Sequence, residues 1–389
     1  MKRIVVLVEG YINQTEANAI CLKKIVKEME KTVRVDIISI ERNFSGWNGN
    51  VYAINKSKII LKREFIRKFV KFIHMPVENK KLTKLIAKET NCLLDAKAYD
   101  ALIAIVNPTE VADALGIIRK KNPSLNVILY EIDPASNRYK NPKNIVEKLW
   151  RERAILWEKK IYNYCTTIVH MKTHKRHFSQ DCFKKFKGKT IYLDIPNFEV
   201  DILPYKRNDK YVMVYAGAFY PNLRNPFPMI NILKKLSRQL PIEVYIYTGS
   251  NMIEDIGKSV LDYKEFHVHN FVSQDVLREE FIKADVLLDL GNTDSDYLPS
   301  KPFQYMGTGK PIIHFKPDDA DVSVEYLNRY ENALIVPVEG TKYKVDEIAE
   351  FLKRQRRQEK LYDKETLTRL FYENTPQCAA KKILEILNC

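Results

Sequence analysis

The feature that most constrains this chain is an alternation of short apolar runs and amphipathic helical segments that lapses near residue 195 and restarts at residue 211. The opening Arg3-Ile4-Val5-Val6-Leu7-Val8 is a continuous apolar run of strand length, as a parallel strand covered on both faces requires. Thr15 is placed to cap a helix in which Ala19, Leu22, Ile25, Val26 and Met29 recur at helical spacing. Strands are expected at 33–40, 101–106, 127–132 and 167–170, with helices over 109–120 and up to Tyr164. The stretch Ile195-Pro196-Asn197-Phe198 and the polar residues 205–210 read as a linker. Beyond it come strands at 211–216, 243–247, 266–269, 286–290 and 311–315, with a helix over 228–240. Such alternation predicts an α/β chain of doubly wound parallel sheets, and the restart predicts two of them. A length of 389 residues is enough for two separate cores. The expected boundaries are 1–205 for the first domain and 206–373 for the second. A helix over 374–389, with Ala379, Ala380, Ile383 and Leu384 on one face, is expected to cross back onto the first. Ligands of open α/β sheets bind at the carboxyl ends of the strands, so the loops after strands are where chemistry is to be sought.

Charge is distributed unevenly over this plan. Residues 1–200 carry 38 Lys and Arg against 21 Asp and Glu, and residues 201–389 carry 26 against 28. All of the excess positive charge therefore lies in the first half, which suggests a polyanionic partner there. Residues 51–90 alone hold eleven Lys or Arg against three acids. Lys62, Arg63, Arg67, Lys68 and Lys71 alternate with Ile66, Phe69, Val70, Phe72 and Ile73, the pattern of a basic amphipathic helix that can lie on an anionic membrane surface. The same spacing also describes a domain helix whose apolar side is core. No recognised nucleic-acid module accompanies the charge, so nucleic acid is not an expected partner. No segment reaches the roughly 18 uninterrupted apolar residues of a membrane span. The N-terminal apolar run is too short for a signal peptide, so a cytoplasmic location is expected, peripheral on the inner face of the membrane. Six scattered cysteines without a CxxC pair point to reduced thiols.

Two motifs lie in the second half. In Asp296-Tyr297-Leu298-Pro299-Ser300-Lys301-Pro302-Phe303-Gln304-Tyr305-Met306-Gly307-Thr308-Gly309-Lys310-Pro311, an acid, a turn, a helix and a Gly-x-Pro exit precede an apolar strand. A helix starting near Ser300 directs free backbone N–H groups at an anion, Lys301 adds a point charge, and Gln304 one turn on can bond a hydroxyl. In Val214-Tyr215-Ala216-Gly217-Ala218-Phe219-Tyr220-Pro221-Asn222-Leu223-Arg224, a strand runs into a glycine and then an arginine able to clamp phosphate oxygens.

Together these stretches resemble the donor-binding half of GT-B glycosyltransferases related to glycosyltransferase family 4, and the resemblance covers roughly residues 190–320. It implies two Rossmann-like domains facing across a cleft, a nucleotide-sugar donor (UDP-linked) held by the second, and a glycan or lipid-linked acceptor held by the first. Gly217, Arg224, Asp296, Tyr297, Ser300, Lys301 and Gln304 fall on its donor positions, and Phe271 and Val272 fall where the family holds the base by main-chain contacts. The family's two glutamates, seven residues apart, are replaced here by Asp296 and Gln304. The implied activity is sugar transfer in surface polysaccharide or glycoconjugate synthesis. A nucleotide-sugar epimerase and a non-catalytic partner subunit of the same fold are the alternatives.

On the acceptor side, Glu9 follows the first strand and Asp133 ends Tyr130-Glu131-Ile132-Asp133, near where family members often place a histidine. These two are the candidate catalytic groups, with Glu131 the alternative to Asp133. His170 and His174 have the spacing of two ligands on one helical face, but no HExxH glutamate is present and cations surround them. Asp294-Ser295-Asp296 matches an Asp-x-Asp in the wrong context. No metal site and no obligatory cofactor are expected.

Overall fold

The computed structural model describes residues 1–8, 17–40, 50–54, 75–106, 108–204, 207–339, 344–357 and 362–388. The chain divides into two compact units, Met1–Pro196 with Pro376–Cys389, and Asn197–Thr375. In the first, β1 (Arg3–Val8), α1 (Ala17–Met29), β2 (Arg34–Ser39), β3 (Val51–Ala53), α2 (Lys80–Ala96), β4 (Ala101–Ile105), α3 (Thr109–Lys121), β5 (Asn126–Glu131), α4 (Ile145–Tyr164), β6 (Thr167–Met171), α5 (Lys175–Ser179) and β7 (Thr190–Leu193) follow in order. The sheet order is β3-β2-β1-β4-β5-β6-β7, and every neighbouring pair is parallel.

Burial explains why β1 has no polar face. Val5 and Leu7 join the core under α2, α3 and α4, while Ile4, Val6 and Val8 join a second core with α1. The second core is completed by α13 (Pro376–Ile386), through Ala379, Ala380, Ile383 and Leu384. Gln377 Nε2 donates to Glu28 Oε1 on α1 at 3.2 Å. Burying an Ile or Leu contributes about 1.5–3 kcal/mol, so the final helix is a structural part of this unit.

The second unit contains β8 (Tyr211–Ala216), α6 (Phe227–Leu236), β9 (Ile242–Tyr247), α7 (Ile253–Ser259), β10 (Phe266–His269), α8 (Gln274–Lys283), β11 (Val286–Leu290), α9 (Lys301–Gly307), β12 (Ile312–Lys316), α10 (Ser323–Leu327), β13 (Ala333–Pro337), α11 (Lys344–Arg357) and α12 (Lys364–Leu370). Its sheet order, β10-β9-β8-β11-β12-β13, is again all parallel. In both sheets the order reverses beside the first strand, between β1 and β4 and between β8 and β11, which is the arrangement of a Rossmann-like sheet.

Two expectations change at this level. Residues 197–203, read as linker and first domain, are strapped to the second unit. Asp201 N donates to Gly307 O at 2.9 Å and Leu203 N to Thr308 O at 3.0 Å. A Cβ on Gly307 would stand 2.1 Å from Glu199 O, so this glycine serves the strap's close approach. The basic stretch is also partly resolved in character. Of its cations, Lys80, Lys81, Lys84 and Lys88 lie on α2, whose Asn79 side chain accepts from Lys81 N and Leu82 N and whose Leu82, Ile86, Ala87 and Leu93 are core. That portion is a domain helix. Lys62, Arg63, Arg67, Lys68 and Lys71 lie outside the described residues. No helix among the described residues is long and apolar enough to cross a membrane.

Candidate functional site

In the second unit the loops after β8 and β11 flank the point where strand order reverses. Gly217, buried, follows β8 and donates its N–H to Tyr247 O at 3.0 Å. A tight turn closes behind it, in which Arg224 N donates to Tyr220 O at 2.7 Å and Tyr220 N to Arg224 O at 3.2 Å. The turn is sewn to the loop after β11 by Thr293 N, which donates to Leu223 O at 3.0 Å. Arg224 Nε donates to Asn292 Oδ1 at 3.0 Å, and Asn292 Nδ2 donates to Tyr297 O at 2.7 Å. One buried amide therefore fixes both the guanidinium and the Asp296–Tyr297 stretch. Asp296 N in turn donates to Asp294 Oδ1 at 3.0 Å.

Helix α9 is locked to the same strand end. Tyr305 Oη receives Ala216 N and donates to Ala216 O, both at 3.0 Å. Ser300 takes the cap position, its carbonyl accepting Asn197 Nδ2 at 3.3 Å, while its hydroxyl makes no capping bond. Lys301 heads the helix and donates to Gln304 Oε1 at 3.0 Å. Desolvation draws its ammonium down to about 8; Asp289 opposes the shift and Arg224 adds to it. Gln304 Nε2 reaches Gln274 Oε1 at 3.4 Å, which ties α9 to the first residue of α8, just after the loop carrying Phe271 and Val272. Phe271 is 64% exposed and its ring lies over Gly249, where a Cβ would be 2.2 Å away. Gly309 leaves the helix at φ 73°, a backbone conformation glycine adopts without penalty.

Behind this surface lies a group the motifs do not contain. His314 on β12 is fully buried, with Nδ1 2.6 Å from Asp289 Oδ2 on β11 and Nε2 2.7 Å from Asp321 Oδ2. Burial would lower its pKa, but the two carboxylates outweigh burial and hold it at about 9. Asp321 presses on Gly291, where a Cβ would meet Oδ2 at 1.6 Å, and Gly291 immediately precedes Asn292. The chain Asp289–His314–Asp321–Gly291–Asn292 thus sets the path of the loop that holds Arg224. A signal was present, since a single charged residue in each of the buried strands Val-Leu-Leu-Asp-Leu and Ile-Ile-His-Phe demands a partner.

In the first unit, Asp133 lies just beyond β5, its side chain 48% exposed, with Oδ1 3.4 Å from His174 Nε2. Glu131, two residues earlier, is buried. Its Oε2 accepts Tyr162 Oη at 2.5 Å and lies 3.2 Å from His170 Nε2 without hydrogen-bond geometry. Desolvation pushes Glu131 up to about 8 and His170 well below its ordinary value, so both are neutral near pH 7. Glu158, also buried and raised, accepts Ser136 N at 2.7 Å and Ser136 Oγ at 2.8 Å. His170 and His174 do not share a helical face. His170 is on β6 and His174 in the turn after it, their rings 5.3 Å apart in the core. Among the described residues no group of three or more His, Cys, Asp or Glu is placed to hold a metal ion. Glu9 lies outside the described residues.

No protein-family model matches the sequence, and no curated protein matches it. Two tandem Rossmann-like units of this strand order are the architecture of the GT-B class, and solved structures of that class superpose on the whole chain. A sucrose-phosphate synthase from Thermosynechococcus elongatus does so with a TM-score of 0.67 at 11% identity, covering 100% of this chain and 98% of that one. An α,α-trehalose-phosphate synthase (UDP-forming) from Burkholderia xenovorans, in complex with glucose-6-phosphate, gives 0.63 at 10% identity and covers 100% of both chains. The catalytic domain of starch synthase IV from Arabidopsis thaliana, bound to ADP and acarbose, gives 0.60 at 9% identity, covering 100% of this chain and 99% of that one. At such identities the likeness establishes the fold.

Proposed function

We propose that this chain is a glycosyltransferase that moves a sugar from a UDP-linked donor to a glycan or lipid-linked acceptor in surface polysaccharide or glycoconjugate synthesis. The observation that carries the reading is the pair of cations, Arg224 held by Asn292 and Lys301 heading α9, at the strand ends where the second sheet reverses order. Open α/β sheets bind phosphorylated ligands at such a point. Arg224 is suited to two oxygens of a diphosphate and Lys301 to one. A departing diphosphate gains negative charge at its leaving oxygen, and fixed cations at that place lower the barrier without reorganising. Lys301, close to losing its proton when unliganded, would be returned to full charge by an arriving diphosphate.

In this reading Gln304 and Asp296, standing where family 4 enzymes have glutamates, bond ribose and sugar hydroxyls, and Phe271 and Val272 border the base. Asp133 and Glu9 are assigned to the acceptor side, as groups that orient or deprotonate its hydroxyl. The two protein cations neutralise the diphosphate, so no obligatory cofactor is assigned. The basic segment with Lys62, Arg63, Arg67, Lys68 and Lys71 is assigned to an anionic membrane surface on the cytoplasmic side. The UDP-forming trehalose-phosphate synthase and the ADP-bound starch synthase that share this fold support a nucleoside diphosphate product. The test is release of nucleoside diphosphate from a panel of nucleotide sugars, with membrane lipid extracts and oligosaccharides as acceptors. Transfer that disappears in Arg224→Ala supports the assignment. Donor consumption without any acceptor would make the enzyme an epimerase, and no consumption would make it a non-catalytic partner.

A further inference from the structure

The first unit carries a groove of about 680 Å³ on its outer helical layer, bounded by α2, α3 and α4. Each helix contributes residues at helical spacing: Lys80, Thr83 and Lys84 from α2; Asp113, Gly116, Ile117 and Lys120 from α3; Lys160 and Tyr164 from α4. Two features separate it from an ordinary solvated face. Its acid is already spent, because Asp113 Oδ2 takes Lys80 Nζ at 2.7 Å and Oδ1 takes Trp157 Nε1 at 3.2 Å. Lys121 likewise pairs with Asp95. Lys84, Lys120 and Lys160, one from each helix, are exposed and have no acidic partner among the described residues. Three uncompensated cations are thus brought round one concavity. The second feature is the hydroxyl of Thr83. The residue is 3% exposed, lines the groove, and its Oγ1 has no hydrogen-bond partner among the described residues. A buried hydroxyl without a partner costs free energy, and a ligand that displaces the groove wall over Oγ1 recovers it.

Of the remaining lining, Asn91 is already engaged, its Oδ1 accepting Asn122 Nδ2 at 2.8 Å, and the rest is apolar. Ile117 is 41% exposed, and the Tyr164 ring lies on Gly116, where a Cβ would stand 2.9 Å from the ring edge. The glycine lets the aromatic ring settle as a floor. The volume is that of a small-molecule site, and a concave site suits a discrete ligand better than a flat lipid surface.

We infer that this groove binds a small phosphate ester, its phosphoryl group among Lys84, Lys120 and Lys160 and its organic part on Tyr164 and Ile117. A phosphoryl dianion has three terminal oxygens, enough to meet the three ammonium groups and Thr83 Oγ1. The residues belong entirely to the first unit and share none with the assigned donor site, so the inference stands independently of the proposed activity.

The probe is phenyl phosphate, titrated calorimetrically into the full-length protein. One saturable site is expected. It loses at least tenfold in affinity in Lys84→Gln/Lys120→Gln/Lys160→Gln, weakens severalfold in Thr83→Val, and persists in Arg224→Ala. The triple variant changes exposed side chains and keeps its thermal transition, and Lys235→Gln serves as the control for a remote charge. Equal affinity in the triple variant and the wild type overturns the inference, as does loss of the heat in Arg224→Ala with retention in the triple variant. Binding of phosphatidylglycerol vesicles through the three lysines, without any heat from phenyl phosphate, also overturns it, because the groove would then be a lipid contact.

Discussion

At the carboxyl end of the first sheet, Glu131 and His170 are buried against each other and neutral, whereas the corresponding end of the second carries Arg224 and Lys301, held toward the strand ends by amides and a tyrosine. The sheets share a strand order up to their sixth strands, so topology does not make the difference. What differs is how each unit disposes of the polar residues at its strand ends. The first neutralises Glu131 and His170 in the core by desolvation, while Asp133 emerges. The second also buries charge, in Asp289–His314–Asp321, but uses it as a frame against which Gly291 and Asn292 are set. A shared fold therefore supplies two candidate binding ends, and local electrostatics sets them apart, the second presenting the cations that the proposed diphosphate site requires.

The largest expected effect breaks that contrast at its cationic end. Arg224→Ala should lower turnover by about 10²–10³-fold, the usual consequence of removing one fixed donor from a developing negative charge. Its thermal transition should stay near that of the wild type, and wild-type turnover would remove Arg224 from the mechanism. Next comes the frame. His314→Ala leaves two buried carboxylates facing each other and should cost about 3–5 kcal/mol in urea denaturation. Gly291→Ala, which forces a methyl into Asp321, should cost about 1–3 kcal/mol and lower donor affinity as well, since the Asn292 loop must move.

The pH dependence sharpens the comparison, because the two ends titrate in different windows. His314 has its pKa raised from 6.5 to about 9, so its contribution to stability is complete below 6.5 and lost as pH rises through 9. Glu131 is raised from 4.5 to about 8, so its contribution is complete below 4.5 and lost as pH rises through 8. Glu131→Gln, which keeps an oxygen for Tyr162 Oη, should flatten the urea midpoint between pH 5 and 8, and His314→Gln should do so at higher pH. An unchanged slope in either variant contradicts the corresponding assignment. The smallest effect concerns Lys301. With its pKa near 8, kcat/KM should fall as pH rises above that value, and Lys301→Arg should carry the falling limb to higher pH.

Much of the second unit was legible in the residues. Strands 211–216 and 286–290 lie where their apolar runs put them, because a doubly covered parallel strand has no other pattern to show, and the edge strand 266–269, Phe-His-Val-His and only partly buried, also lies where it was expected. Shorter strands were harder. β3 has three residues and takes its register from β2, and β7 is only partly covered, so neither carries a periodicity of its own. The helix expected over 228–240 ends at Leu236, where bonds such as Gln239 N to Leu236 O, 2.9 Å, tighten it into turns. At the site, Arg224 and Lys301 could be read from motifs. Asn292 could not, because its role depends on two loops 68 residues apart meeting at one amide. The Asp289–His314–Asp321 string was hidden for the same reason. Cross-strand register puts Asp289 beside His314, and that register exists only in the folded sheet.

Whether the second unit holds a nucleoside diphosphate at Arg224 and Lys301, as proposed, is decided by calorimetric titration of UDP. One site is expected in the wild-type protein, with an affinity at least tenfold weaker in Arg224→Ala and in Lys301→Ala and unchanged in Asp133→Asn. UDP binding that survives both cation variants but is lost in Asp133→Asn would contradict that proposal and move the nucleotide to the first unit.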